Sequence, residues 1–404
     1  MMDIDIQRRI DRVFGQPLCW LLSLMDRWCL RKPERPKDVK NILVILLSEM
    51  GSLVLAGPMF KRIAMDYPQA SVYALVFGKN REVLELNDFV KIENIYTIDG
   101  GRIFQMGFQS LRVMRDLRKI GIDVVLDCEL FSRVSSIYSY LSGALIRVGF
   151  HPHTQEGLYR GDFINRAVLY NPYVHISRQF VTLVEAINSC ESPSVKVQTG
   201  DDRLSPDIVQ ILEHRIIEMR KRLEADFPLV CQRPLILLYP SGGLLPIRAW
   251  PIERYGDLAC SLINDGYSIG VIGLPEDKEL ADRIIAACNN RYCIDLTGYT
   301  RSIKELLSLF HHAKLLITND GGPGHFASMI GLPALILYGP ETPLLYGSLS
   351  PVASNIYSPL TCSPCLTAYN HRKSPCDGNN ICLKQISMES VISSARNILR
   401  GNNH

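Results

Sequence analysis

The residues of this chain best suited to chemistry lie in LLITNDGGPGHFASMIGLPALILYGP (315 to 340), where an apolar run ends in Asp320 and Gly321, Gly322, Pro323, Gly324 and His325 follow at once. Glycines at a strand-to-helix junction let backbone N–H groups approach an anion, and the start of a helix favours negative charge such as a diphosphate. The same residues suit a plain turn in which Asp320 caps the helix. Composition leaves both open. No G-x-x-x-x-G-K-[ST] occurs anywhere and no G-x-G-x-x-G follows the first strand, so P-loop kinases and ordinary dinucleotide dehydrogenases lose their main support. A second constellation, CSPCLTAYNHRKSPCDGNNIC, gathers Cys362, Cys365, Cys376 and Cys382. A C-x-x-C with two further cysteines is the arithmetic of a zinc site, but the wider spacing of the second pair suits buried thiols or a disulfide as well, and no metal is assigned.

These residues need elements to hold them, and the chain from Asn41 onward alternates short β-branched runs with longer amphipathic stretches. That is the pattern of parallel strands joined by crossover helices. One series runs through NILVILL (41 to 47), SVYALVFG (71 to 78), IENIYTID (92 to 99) and DVVLDC (123 to 128). Another runs through PLILLYP (234 to 240), SIGVIGL (268 to 274), CIDLTG (293 to 298), KLLITND (314 to 320) and PALILYGP (333 to 340). The expectation is two doubly wound α/β domains, 41 to 200 and 201 to 404, behind an extension of residues 1 to 40. Ligands in such sheets sit beyond the carboxyl ends of the strands, so the site is expected in the cleft between the domains. The stretch 151 to 174 lacks periodicity and reads as a long surface excursion.

Bulk properties narrow the class. A length of 404 residues suits two domains, and a formal net charge of +3 is too small to argue for a nucleic-acid partner. No apolar run is long enough to span a bilayer. PLCWLLSLM (17 to 25) reads poorly as a signal peptide, because acidic residues precede it and no small-residue cleavage site follows. Most of the 12 cysteines are scattered singly, as reduced core cysteines are, which makes a cytoplasmic location the default. In the extension, Leu18, Leu21, Leu22, Met25 and Trp28 can share one helical face, with Arg27, Arg31, Lys32, Arg35, Lys37 and Lys40 alongside or after it. Such a helix either lies in a membrane interface or packs on the first domain.

The stretch TNDGGPGHFASMIGLPALILYGPETP resembles the donor-site signature of glycosyltransferase family 9, the heptosyltransferase-like enzymes, matching it at Asp320, Gly322, Pro323, His325 and Ala327. LYPSGGLLPIRAWPIERYGDLA (238 to 259) is similar to a second signature of that family, with Arg248 at its basic position ahead of Trp250 and Pro251. The resemblance implies the GT-B architecture and inverting, metal-independent transfer from a nucleotide sugar, with ADP-heptose the first candidate. It places Ser241, Gly242, Arg248, Asp320, Gly321, Gly322, Pro323 and His325 on the donor. Glu276 stands where the family has an acid on the ribose, or is a solvated acid at a helix start, and Trp250 is expected to pack the domain.

The first domain departs from the pattern. In LVILLSEMGSLVLAGP (43 to 58), Leu46 stands at the family's basic position and Ser52 at that of its catalytic Asp, while Gly51 is kept and is expected among the donor-binding residues. Glu49 is the expected stand-in base. IRVGF (146 to 150) and HISRQF (175 to 180) offer Arg147, His175 and Arg178 to an acidic or phosphorylated acceptor, or simply to solvent. The acceptor implied is a lipid-linked or surface glycan such as a lipopolysaccharide core, met at the inner face of the cytoplasmic membrane. A nucleotide-sugar 2-epimerase and a non-catalytic sugar-nucleotide-binding protein are the alternatives.

Overall fold

The computed structural model describes residues 9–28, 38–47, 49–99, 103–130, 132–151, 159–189, 191, 193–195, 204–243, 245–366 and 374–401. The chain forms two compact units, Met1–Leu204 and Ser205–His404. The first holds β1 (Asn41–Ile45), β2 (Ser71–Phe77), β3 (Ile95–Ile98), β4 (Val124–Asp127), β5 (Ile146–Phe150) and β6 (Arg166–Val168), all parallel, in the order β3-β2-β1-β4-β5-β6. The second holds β7 (Leu235–Tyr239), β8 (Ser268–Gly273), β9 (Cys293–Thr297), β10 (Ala313–Asn319), β11 (Ala334–Tyr338) and β12 (Ala353–Tyr357), in the order β12-β11-β10-β7-β8-β9, again all parallel. Each sheet reverses its strand order once, between β1 and β4 in the first and between β7 and β10 in the second. Both are therefore doubly wound, and the loops beside each reversal are where such sheets bind ligands.

The central strands are covered on both faces. Ile42, Leu43, Val44 and Ile45 are all buried, as are Leu315, Leu316 and Ile317, so these runs read as continuously apolar rather than alternating. Sequence reasoning missed β6 and β12 for the same physical reason in reverse. β6 has three residues and begins with Arg166, and β12 is an edge strand with half-exposed polar positions.

One expectation is corrected and one open alternative is decided. Within 151 to 174, residues 160 to 168 are no surface excursion, because Arg160, Phe163 and Ile164 are buried there and β6 completes the sheet, whereas Tyr173 beyond them is exposed. Of the two readings of the extension, packing on the first domain is the one observed. A turn of π-helix, Asp11–Gly15, leads into the helix Gln16–Trp28, which packs against the helix Arg133–Leu141. Cys19 and Leu22 enter a small core with Ile137, Phe163 and Ile164. Asp11 accepts hydrogen bonds from the backbone N–H groups of Arg133 (2.9 Å) and Val134 (3.1 Å), adding to the Ser132 cap of that helix. Arg147 reaches Asp26 at 2.7 Å and Arg27 reaches Asp162 at 2.9 Å.

Leu22 thus turns inward, away from the face assigned to it. Phe14, Leu18, Trp20, Leu21, Met25 and Trp28 remain exposed, Trp28 at 85%. Arg31, Lys32, Arg35 and Lys37 lie outside the described residues.

Candidate functional site

Where β7 and β10 part, Asn319 ties their two loops together. This residue is fully buried. Its amide donates to the carbonyls of Pro240 (2.8 Å) and Ser241 (3.2 Å), and its Oδ1 accepts from the Trp250 backbone (3.0 Å) and the Tyr255 hydroxyl (3.1 Å). A buried amide with donors and acceptors matched in this way fixes Pro240, Ser241 and Trp250 against the end of β10. Trp250 itself packs, as the sequence indicated, with its indole N–H on the Ile386 carbonyl at 3.0 Å.

The loops held by Asn319 carry the charges. The Arg248 guanidinium lies 2.6 Å from Glu341 Oε1 through Nη2 and 3.6 Å from Asp320 Oδ2 through Nε, and all three side chains are at least nine-tenths buried. His325 is buried on the short helix Gly322–Ser328 that follows. Burial, with the Asp320 and Glu341 carboxylates adding to it and Arg248 opposing, pushes the Tyr338 hydroxyl at the end of β11 well above its ordinary range. The donor-side residues named from the sequence are thus largely brought together, and one is added. Glu341 was missed because its partner is 93 positions away, although an acidic residue one loop past a parallel strand is a readable signal.

The glycines divide their work. Gly242 sits in a turn so tight that a Cβ there would come within 2.6 Å of the Leu245 carbonyl oxygen. A Cβ on Gly324 would meet Ile336 at 2.9 Å, so this glycine serves close packing of the helix on the sheet. Gly321 and Gly322 line the turn itself, half-buried. With seven residues, Gly322–Ser328 has little dipole to offer, so Arg248 is the main local positive charge. Ser241 is buried and accepts from the Gly243 N–H at 3.1 Å; Glu276 is exposed just past β8.

The cysteine-rich segment braces these loops. The Cys365 and Leu366 N–H groups both donate to the Pro340 carbonyl (2.9 and 2.8 Å), the Ser363 hydroxyl donates to Gly339 (2.6 Å), and the Asn380 amide donates to Ile247 (2.6 Å). It therefore grips the chain beside both Glu341 and Arg248. Cys362 and Cys376 are exposed, Cys365 is half-buried and Cys382 is buried. Among the described residues no group of three or more His, Cys, Asp or Glu is placed to hold a metal ion.

In the first unit the reversal between β1 and β4 carries Glu49, directly before the helix Met50–Leu55 and without a capping hydrogen bond from its side chain. Ser52 is half-buried, Gly51 is buried, and Leu46 is packed into the core where a basic residue was sought. Across the reversal, Asp127 is fully buried, with Arg160 on one carboxylate oxygen and the Glu129 N–H on the other. Arg160 also donates to Ser132, Phe150 and Ser135, so this pair anchors the loops rather than awaiting a proton.

Of the three acceptor-side residues, His175 and Arg178 share the first turn of one helix, the Arg178 N–H donating to the His175 carbonyl at 3.0 Å, and Arg147 lies elsewhere. Arg147 is the second residue of β5, at the amino end of the sheet, where its guanidinium meets the carbonyls of Phe163 and Ala144 and the carboxylate of Asp26. It docks the N-terminal helix, a correction that a run of sequence cannot supply. Arg178 pairs with Glu185 (3.0 Å), which also meets Arg62 (3.6 Å) across two packed helices. His175 caps the helix Ile176–Glu185 by accepting from the Ser177 N–H (3.3 Å).

Comparison with known proteins accords with this geometry. Residues 110–374 match the model of glycosyltransferase family 9 (heptosyltransferase). Lipopolysaccharide heptosyltransferase 2 of Escherichia coli (strain K12) is 34% identical over 312 residues, covering 75% of this chain and 84% of that one. The structure of E. coli ADP-heptose lps heptosyltransferase II superposes with a TM-score of 0.69 at 22% identity, over 89% of this chain and 99% of that one. A family 9 glycosyl transferase from Veillonella parvula DSM 2008 gives 0.69 at 22%, over 90% and 98%. The fold of both units is thus that of known GT-B enzymes, and the chain belongs to glycosyltransferase family 9 and is a glycosyltransferase.

Proposed function

We propose that this enzyme transfers heptose from ADP-heptose to a lipopolysaccharide-core or related surface-glycan acceptor, with inversion and without a metal ion. The heptosyl assignment draws on what its relatives are named for, lipopolysaccharide heptosyltransferases at 34% identity among them. The observation that carries the donor half is the buried Arg248, held by two carboxylates at the reversal of a doubly wound sheet. A guanidinium grips a diphosphate through paired charge-assisted hydrogen bonds and takes the place of a divalent cation as the leaving group departs. In this reading Gly321, Gly322, Pro323 and His325 receive the phosphates, Ser241 and Gly242 line the approach, Asp320 accepts from sugar hydroxyls, and Glu276 accepts from the ribose.

Glu49 is the proposed general base, at the corresponding reversal of the first sheet, with Ser52 and Gly51 beside it. A base must come within about 2.6 to 3.2 Å of the acceptor hydroxyl or act through one water. His175 stays in the proposal on the acceptor side, because it begins the helix that follows β6. The test is incubation with ADP-heptose and a heptose-deficient lipopolysaccharide core, read by mass spectrometry of the glycan. A heptose-sized gain is expected. ADP binding with no transfer to any extracted glycolipid would instead favour the non-catalytic reading, for which Ser52 and the buried Leu46 are the motive.

Among the described residues no helix is long and apolar enough to cross a membrane. We infer that the enzyme works as a peripheral protein on the inner face of the cytoplasmic membrane, through the exposed side of Gln16–Trp28. Support comes from the outward Phe14, Trp20, Leu21, Met25 and Trp28 and from the lysines and arginines that follow in sequence. Flotation with anionic vesicles tests it. Binding that weakens with salt and with Trp20→Ser/Trp28→Ser is expected, and unaltered flotation of that variant would contradict it.

A further inference from the structure

The least expected member of the donor cluster is Glu341. It follows β11 by three positions, in the loop whose Pro340 carbonyl receives two N–H groups from the cysteine-rich segment. Its carboxylate is 4% exposed and lies 2.6 Å from Arg248 Nη2. Asp320, on the loop after β10, approaches the same guanidinium from its Nε side at 3.6 Å. Two carboxylates on two loops therefore flank one arginine on a third, at different nitrogens. A flexible arginine gains selectivity for a diphosphate when its fork is already oriented, because less side-chain freedom is lost on binding.

We propose that Glu341 is a positioning residue, which holds Arg248 in the orientation that grips the donor diphosphate. It acts through Arg248 and does not itself touch the donor. This rests on the assignment of Arg248 to the diphosphate given above. The opposing possibility is that Glu341 only competes with the incoming diphosphate for Arg248 and repels it as a like charge. The two accounts differ in sign.

Calorimetric titration of ADP into the full-length protein separates them, with thermal melting of each variant run alongside. Glu341→Ala is expected to weaken ADP binding about tenfold. Glu341→Gln keeps an oxygen opposite Nη2 and is expected to stay within about threefold of the parent, since a neutral acceptor preserves most of the geometry. In an Arg248→Ala background the Glu341→Ala change is expected to cost nothing further, because a residue acting through another has no effect once that other is gone. Where an acceptor supports turnover, kcat/KM for the donor should follow the same pattern.

Tighter ADP binding in both Glu341 variants would overturn the proposal in favour of a competing anion. Equal losses in the parent and Arg248→Ala backgrounds would overturn it in favour of direct contact with the donor. If the parent protein does not bind ADP at all, the donor assignment itself fails, and the proposal with it. If ADP binds the parent and Glu341→Ala equally, only the proposal fails.

Discussion

The two units share one architecture and use it differently. In the second, the loops at the strand-order reversal converge on Arg248, Asp320 and Glu341, and a buried amide, Asn319, holds those loops in place. In the first, the buried charges at and near the reversal are bound up in structure: Asp127 with Arg160, and Arg133 with Asp11. Arg147, which the sequence offered as a ligand contact, instead locks the N-terminal helix to the amino end of the sheet. Equal folds therefore do not imply equal sites. An unpaired arginine in a sequence tells nothing of its task until its end of the strand is known.

That contrast is open to attack, first through the largest expected effect. Glu49→Gln preserves shape and removes basicity, so turnover should fall by about 10² to 10⁴, with ADP affinity unchanged. Near-normal turnover would take Glu49 out of the reaction. Asp127 would not be its replacement, because Arg160 holds it.

Arg248→Ala sharpens the comparison from the other side. It should weaken ADP binding by about 1.5 to 3 kcal/mol, the range for hydrogen bonds to charged groups. Because the change strands two buried carboxylates together, stability should also drop by about 3 to 5 kcal/mol. Urea titration reads the second effect. A variant as stable as the parent would mean that the three groups are not a coupled cluster.

Arg147→Ala should do the opposite. It is expected to leave ADP affinity untouched while loosening the N-terminal helix, at a cost of about 1.5 to 3 kcal/mol for hydrogen bonds to a charged group. Limited proteolysis near Trp28 should speed up. If ADP affinity falls as much as for Arg248→Ala, the division between the units is wrong.

The smallest effect concerns acid. Burial lowers the affinity of His311 and His312 for protons, so the native second unit prefers both imidazoles neutral. The stability this contributes is complete above the unfolded value of about 6.5 and is lost as pH falls through the lowered native values. Replacing both by Gln should flatten that acid slope in thermal melts. An unchanged slope would assign it to other groups.

Much of this was legible in the sequence, and the omissions have physical causes. Apolar runs such as NILVI and LLIT announced the central strands because parallel strands are buried on both faces. The loop after β10 was legible as a candidate site because a chemistry-bearing run is contiguous there, Asp320 through His325. Glu341 and Asn319 escaped because their meaning lies in partners on other loops. Leu22 was grouped on one face with Leu18, Leu21, Met25 and Trp28 because a helix repeat cannot tell which of two apolar sides meets the protein, and this helix has both. Deleting the extension is for that reason a poor test of membrane binding, since it would uncover Ile137, Phe163 and Ile164.

The claim on which the rest depends is that nucleotide binds at the carboxyl edge of the second sheet. Amide hydrogen exchange with and without saturating ADP tests it without any mutation, since binding suppresses local opening where contacts form. Protection is predicted in the peptides spanning Pro240 to Trp250, Asp320 to His325 and Gly339 to Thr342. Protection that appears first around Glu49 and Asp127, with those three segments unchanged, would contradict it.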